Sequence, residues 1–355
     1  MSSNPRVTRT AGRWLAGACA SLAVASAALS AGPVGVASAA KSDGTLILYS
    51  AQHQQTTDAL VAAFEHATGI KVEVDANDED VLTAELEQEG SRSPADVFYT
   101  ENSNWLQQLD DRGMLAHVSS STLANVPKPD SASNGGWVGV SARIAVLVYD
   151  PAKVRAAQVP KQILQLASPK WKGKLEVAPS ETDFWPVIDS VQRSYGTART
   201  LAWLRGLKRN AGANDNVPDN ETLTSDVSTG GTDLALINHY YYYRQRAAVG
   251  ANAMRAKLAY LAPRDPGYVE AVSGAAILKS SKHQQAAQEF LQFITSSAGQ
   301  SVIAHSESFE YPLNPHVAAS PQLKPLKDLS PANFTPAQLG EGMEAKQLLQ
   351  QVGLL

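Results

Sequence analysis

Short apolar runs alternate with stretches of helical spacing from residue 45 onward. Residues 45–50 form one such run and predict a buried strand. Residues 57–65 carry apolar side chains at helical intervals, and 71–75 alternate as a half-buried strand does. A helix is expected over 80–88 and a third strand over 95–100. This β-α-β-α-β order predicts an α/β lobe with a mostly parallel sheet. Ligands of such sheets sit outside the carboxyl ends of the strands. Two chemically useful residues fall there: His53, three residues past the first predicted strand, and Glu101, directly after the third.

A second region opens with the apolar run 143–149, closed by Asp150-Pro151. Further strands are expected over 175–178, 234–237 and 271–278, and helices over 187–195, 198–208 and 283–296. The Pro- and Leu-rich remainder reads as a surface-wrapping tail ending in a helix over 340–351.

The first forty residues follow another logic. Arg6, Arg9 and Arg13 make a basic start without acidic residues, 14–31 are rich in Ala and Leu, and Ala37-Ser38-Ala39 has the small-residue pattern of a cleavage site. Residues 1–39 are therefore expected to be a secretory signal, leaving a periplasmic or cell-surface chain that starts near Ala40. The arginines are not adjacent, so a twin-arginine signal is not indicated. Cys19 faintly resembles a lipidation site, but the apolar stretch runs past it, and cleavage after Ala39 is preferred. Cys19 is the sole cysteine, so the mature chain would hold no disulfide and no thiolate metal site. Losing the three arginines moves the formal charge from −4 to about −7. That balance, without a Lys/Arg cluster, argues against a nucleic-acid partner. The roughly 316 residues that remain exceed one typical core and predict two lobes.

Four consecutive tyrosines, Tyr240 to Tyr243, follow the 234–237 run and Asn238-His239. Phenolates are hard, anionic donors that suit hard, highly charged cations. A free tyrosine titrates near pH ~10, so holding one ionised at neutral pH takes a strongly charged ion, of which Fe³⁺ is the common biological case. Each residue also has an ordinary reading. The tyrosines can form an aromatic cluster, His53 a turn, Glu101 a first-turn acid and Asn238 a helix cap. Together, His and Glu follow strands of one lobe and tyrosines follow a strand of the other. A neutral His, one carboxylate and two phenolates carry three negative charges, which would neutralise Fe³⁺.

Longer segments carry a resemblance: Leu48-Tyr-Ser-Ala-Gln-His53, Ala95-Asp-Val-Phe-Tyr-Thr-Glu101, Trp137-Val-Gly-Val-Ser-Ala-Arg143, Lys170-Trp-Lys-Gly-Lys174, Leu236-Ile-Asn-His-Tyr-Tyr241 and Val272-Ser-Gly-Ala-Ala-Ile277. In these the chain resembles the ferric-iron-binding proteins of ABC importers, within the extracytoplasmic solute-binding superfamily. The resemblance implies an α/β, two-lobed periplasmic-binding-protein fold of type II, with a crossing-strand hinge and a ligand cleft between lobes. The lobes would be 40–145 plus 271–321 and 146–270 plus 322–355. By position the iron ligands fall on His53, Glu101, Tyr240 and Tyr241, while Tyr242 and Tyr243 match no usual ligand position. Water or a small synergistic anion would complete the shell. Phosphate-using members place a Ser-Gly pair after a Pro-Thr; this chain has Pro179-Ser-Glu-Thr-Asp183, and Glu181 would repel phosphate. Asn102, Asn220 and Asn238 match anion-side positions. Arg143 matches an arginine that some members aim at carbonate, a geometry suited to a guanidinium fork; its ordinary reading is a structural salt bridge.

The resemblance thus implies a monomeric, non-enzymatic protein that captures Fe³⁺ or a ferric chelate and hands it to an ABC permease, with carbonate favoured over phosphate as the anion and coordination without any anion left open. Two rivals stand beside it. One is a same-fold binder of a polyamine, thiamine or organic anion. The other is an exported mononuclear metal hydrolase, against which the chain offers no H-E-x-x-H and no G-x-S-x-G.

Overall fold

The computed structural model describes residues 44–340 and 342–355; the expected signal segment, with Cys19, lies outside them. The first predicted unit is present as β1 (Leu46–Ala51), α1 (Gln54–Thr68), β2 (Val72–Ala76), α2 (Glu79–Glu89) and β3 (Val97–Thr100). α1 buries Thr57, Leu60 and Phe64 along one stripe, and the chain leaves it at Gly69 in the left-handed region, φ 77°. β1 pairs in parallel with both β2 and β3.

Helices α3 (Ser103–Asp111) and α4 (Ser120–Leu123) lead into β4 (Val138–Tyr149). β4 starts five residues before the expected 143, because Gly139 and Ser141 dilute the apolar signal of a strand that is buried throughout. Gly139 stands opposite Gly274 in register. A Cβ on Gly139 would meet the Asp130 carbonyl, and one on Gly274 the Val138 carbonyl at 2.8 Å, so neither position has room for a side chain.

The second region contributes β5 (Leu175–Glu176), α5 (Trp185–Tyr195), α6 (Thr197–Ala211), α7 (Asn220–Thr229), β6 (Leu234–Asn238), α8 (His239–Val249) and β7 (Lys257–Ala259). β5 is shorter than the expected 175–178 because Val177 bonds to the loop residues Asn214 and Val217 rather than to a strand. The chain then returns through β8 (Glu270–Ile277), α9 (Gln284–Thr295), α10 (Ser297–His305) and β9 (Tyr311–Pro312). It closes with α11 (Pro336–Leu339) and α12 (Met343–Val352). The last helix starts after the expected 340 because Gly340 and Gly342 adopt φ of 86° and 75°.

Strand order is β2-β1-β3-β8-β4-β6-β5, with β7 and β9 also paired to β4. β4 serves two sets of partners: residues 138–144 pair antiparallel with β8, and 145–149 with β6. β8 is antiparallel to β3, so β3 runs in the same direction as β4; β6 runs against it. The carboxyl ends of β3 and β6 therefore point toward one another and stop on either side of Arg143. β1 shares the direction of β3, and β5 that of β6.

Candidate metal centre

All the candidate donors sit just beyond those carboxyl ends. His53 lies between β1 and α1 in a non-helical conformation, φ −46° and ψ 126°. Glu101 directly follows β3, and Tyr240 and Tyr241 occupy the first turn of α8, directly after β6. The turn after β5 adds Glu181 and Asp183. A cleft of about 600 Å³ opens over His53, Glu101, Glu181, Glu221 and Tyr241.

His53 Nδ1 lies 3.0 Å from Glu101 Oε1. Burial opposes charge on this imidazole, but the facing Glu101 carboxylate outweighs it and lifts the His53 pKa above its ordinary value. Burial also opposes charge on Glu101, yet His53 and then Arg143 hold its pKa below the usual range. The phenols differ. Tyr240 and Tyr241 donate to the same oxygen, Asp183 Oδ2, at 3.1 and 2.9 Å. Their ring centroids are 4.1 Å apart, and the Tyr240 ring meets His53 edge-on at 5.1 Å. Burial first, then the Asp183 charge, drives both phenol pKa values far above the ordinary value.

Arg143 is the hub beneath these groups. Its guanidinium lies 3.6 Å from Glu101 Oε2, 3.4 Å from Asp183 Oδ1 and 3.2 Å from Glu310 Oε1. It also donates to the Glu101 carbonyl and, at 2.8 Å, to Asn102 Oδ1. It is fully buried, and after the unfavourable burial the surrounding carboxylates hold it firmly charged. The fork that was expected to meet carbonate is committed to protein groups, in the manner of the structural ion pair.

The other anion-side candidates separate. Asn102 Nδ2 donates to Glu79 Oε2 at 3.0 Å and Thr182 Oγ1 at 3.2 Å. Asn220 Nδ2 donates to Glu181 Oε2 at 3.0 Å. Asn238 Nδ2 is buried without a hydrogen-bond partner and lines a small void with Asp183 and Asn220. Burial, then Asp183 and Glu221, push the Glu181 pKa up to about 8. His239 is not available as a ligand: Ile144 N–H donates to its Nδ1 at 3.1 Å, and its Nε2 meets the Phe309 carbonyl at 2.8 Å. Tyr243 stacks on Phe309, and Tyr242 packs edge-on against Tyr243.

Asp183, Glu310 and Arg244 are functional neighbours that sequence reasoning missed. Asp183 stood in the segment weighed only for Glu181. Arg244 follows Tyr240 by one helical turn. Glu310 carries no local signal, since contacts such as that to Gln52 at 3.5 Å span most of the chain. Among the described residues no group of three or more His, Cys, Asp or Glu is arranged to hold a metal ion.

The bacterial extracellular solute-binding protein family model matches residues 50–301. The chain belongs to that family. This solute-binding protein is 39% identical over 319 residues to the Fe(3+)-binding periplasmic protein of Serratia marcescens, covering 90% of this chain and 93% of the relative. It is 35% identical over 314 residues to the major ferric iron-binding protein of Neisseria meningitidis serogroup B, covering 87% and 93%. Iron-bound HitA of Pseudomonas aeruginosa matches the solute-binding protein with a TM-score of 0.83 at 39% identity, over 87% of this chain and 99% of that one. The fold is accordingly the two-lobed, type II α/β arrangement, and the family is that of an exported binder.

Proposed function

We propose that this solute-binding protein captures ferric iron in its cleft and delivers it to an ABC permease, without catalysing a reaction. The observation that carries the reading is the convergence of two phenols, Tyr240 and Tyr241, on the cluster that holds His53 and Glu101. In this proposal His53 Nε2, the Glu101 carboxylate and the two phenolates bind the ion. A trivalent cation supplies the field needed to ionise phenols that the metal-free protein keeps protonated. Ferric-binding relatives of high coverage support the choice of cargo. A polyamine or a neutral solute would not require two anionic phenols beside His and Glu.

We keep the lobes at 40–145 plus 271–321 and 146–270 plus 322–355, with the hinge near the exchange of β4 partners at Ile144 and Ala145. The protein would work as a monomer. For the last coordination positions, the committed Arg143 and the carboxylates of Glu181 and Asp183 favour protein groups or water over an exogenous anion. Titration in carbonate-free buffer, then with bicarbonate or phosphate restored, tests this; equal binding in all three is expected, and dependence on bicarbonate would restore an anion to the site. The main test is addition of ferric citrate to the mature protein. A visible tyrosinate-to-iron band is expected, and binding without such a band would refute the ligand set.

A further inference from the structure

Arg244 stands on α8 one turn after Tyr240, its guanidinium 6.0 Å from the centre of that ring. Its Nη1 lies 3.3 Å from His53 Nε2, while His53 Nδ1 faces Glu101 at 3.0 Å. A guanidinium has no acceptor. In the neutral imidazole, Nε2 then presents its lone pair to Arg244 and Nδ1 carries the proton given to Glu101. The lone pair that a metal would take is already in use. The same Nη1 also lies 3.6 Å from Glu221 Oε1, a side chain that is 57% exposed. Arg244 further borders a second cavity of about 480 Å³ lined by Glu221, Ser225 and Gln245. Arg143 offers the contrast: it is fully buried among three carboxylates, whereas the Arg244 side chain is 26% exposed and has somewhere to go.

We propose that Arg244 is a tethered cation that occupies the His53 lone pair in the metal-free protein and yields it, toward Glu221 and the second cavity, when the ferric ion enters. The inference rests on the ferric reading of the cleft. One lone pair serves one partner, so the guanidinium and the metal compete for Nε2. A competitor built into the chain lowers the apparent affinity by the fraction of molecules whose lone pair is free. The same group refills the position as the metal leaves, so it favours release as well as limiting capture. Arg244 is thus a positioning residue whose loss tightens binding, the reverse of what loss of a ligand does.

The test compares the mature protein with Arg244→Ala, Glu221→Gln and the double variant. Iron is supplied as ferric nitrilotriacetate and read by the tyrosinate band, with affinity from chelator competition and release followed into EDTA. Arg244→Ala is expected to bind about tenfold tighter and release correspondingly slower, the scale of one charge-assisted hydrogen bond. Glu221→Gln removes the alternative partner and is expected to bind more weakly. In the Arg244→Ala background it should change nothing, because its effect runs through Arg244. Unchanged or weaker binding by Arg244→Ala overturns the proposal. So does an equal Glu221→Gln effect in both backgrounds, which would mean that only net charge matters. A metal-free readout separates this inference from the ferric reading itself. In ¹⁵N spectra of the unloaded protein, His53 should show a hydrogen-bonded, unprotonated Nε2 that shifts on Arg244→Ala. A protonated Nε2, or no shift, refutes the placement of Arg244 whatever the protein does with iron.

Discussion

In the proposed site His53 and Glu101, at the ends of β1 and β3, form a half-site in which the imidazole N–H and the carboxylate support each other. Tyr240 and Tyr241, at the start of α8, form a half-site in which burial and the Asp183 charge both oppose ionisation. One half presents an ionised carboxylate before any cargo arrives; the other becomes anionic only in the field of a strong cation. The difference teaches how such a cleft selects. A weakly charged ion can be attracted by Glu101, but only a highly charged one can drive two protons off phenols bound to a common carboxylate oxygen.

The comparison is broken most severely on the phenol side. Tyr241→Phe is expected to weaken and shift the visible band and to weaken ferric binding by far more than the ~10–100-fold typical of changes outside the ligand set. Tyr243→Phe should do neither, since Tyr243 packs on Phe309. A colourless Tyr243→Phe would move the ligand register by half a turn. On the other side, His53→Ala should weaken binding less, by about 100-fold, while the band persists; absorbance with a competing chelator reads both at once.

Acid sharpens the contrast further. Protons compete with metal for His53 and Glu101. His53, with its raised pKa, takes a proton first as pH falls, and Glu101, with its lowered pKa, follows. Affinity should therefore fall by about tenfold per pH unit for each proton taken up. His53→Ala removes the first stage. Full iron occupancy well below the ordinary carboxylate range would contradict the proposed ligands.

The smallest effect concerns Glu181. Its folded pKa of about 8 lies above the ordinary 4.5. Between those values the folded metal-free protein holds a proton that the unfolded chain has lost, so stability falls as pH rises from 4.5 to 8 and is fully present below that window. Glu181→Gln should flatten that decline in thermal melts of the unloaded protein. An unchanged pH slope would show that Glu181 is better solvated than its partly buried position implies.

Much of this arrangement was legible in the sequence because it is local. The alternation of apolar runs and helical stripes marked β1, α1, β2, α2 and β3, and the rule that ligands lie past strand ends singled out His53 and Glu101. The tyrosine run stood out as a source of phenol donors. What stayed hidden is what chain crossing creates. The β4 start at Val138 was masked by Gly139, where a side chain has no room, and by Ser141, which bonds to Ser273 and Glu310. Arg143 was visible as a residue, but its three carboxylate partners come from separate segments, and nothing near Glu310 in sequence points to it. Asp183 and Arg244 become meaningful only once α8 is placed, since their roles are defined by Tyr240, Tyr241 and His53.

The most direct measurement combines elemental analysis with visible absorbance on purified mature protein and its Tyr240→Phe/Tyr241→Phe double variant. One iron per chain, with a tyrosinate band present in the parent and absent from the variant, is the predicted result. Iron bound at the same stoichiometry and with the same spectrum in both proteins would contradict the central claim that the two phenols hold the ion.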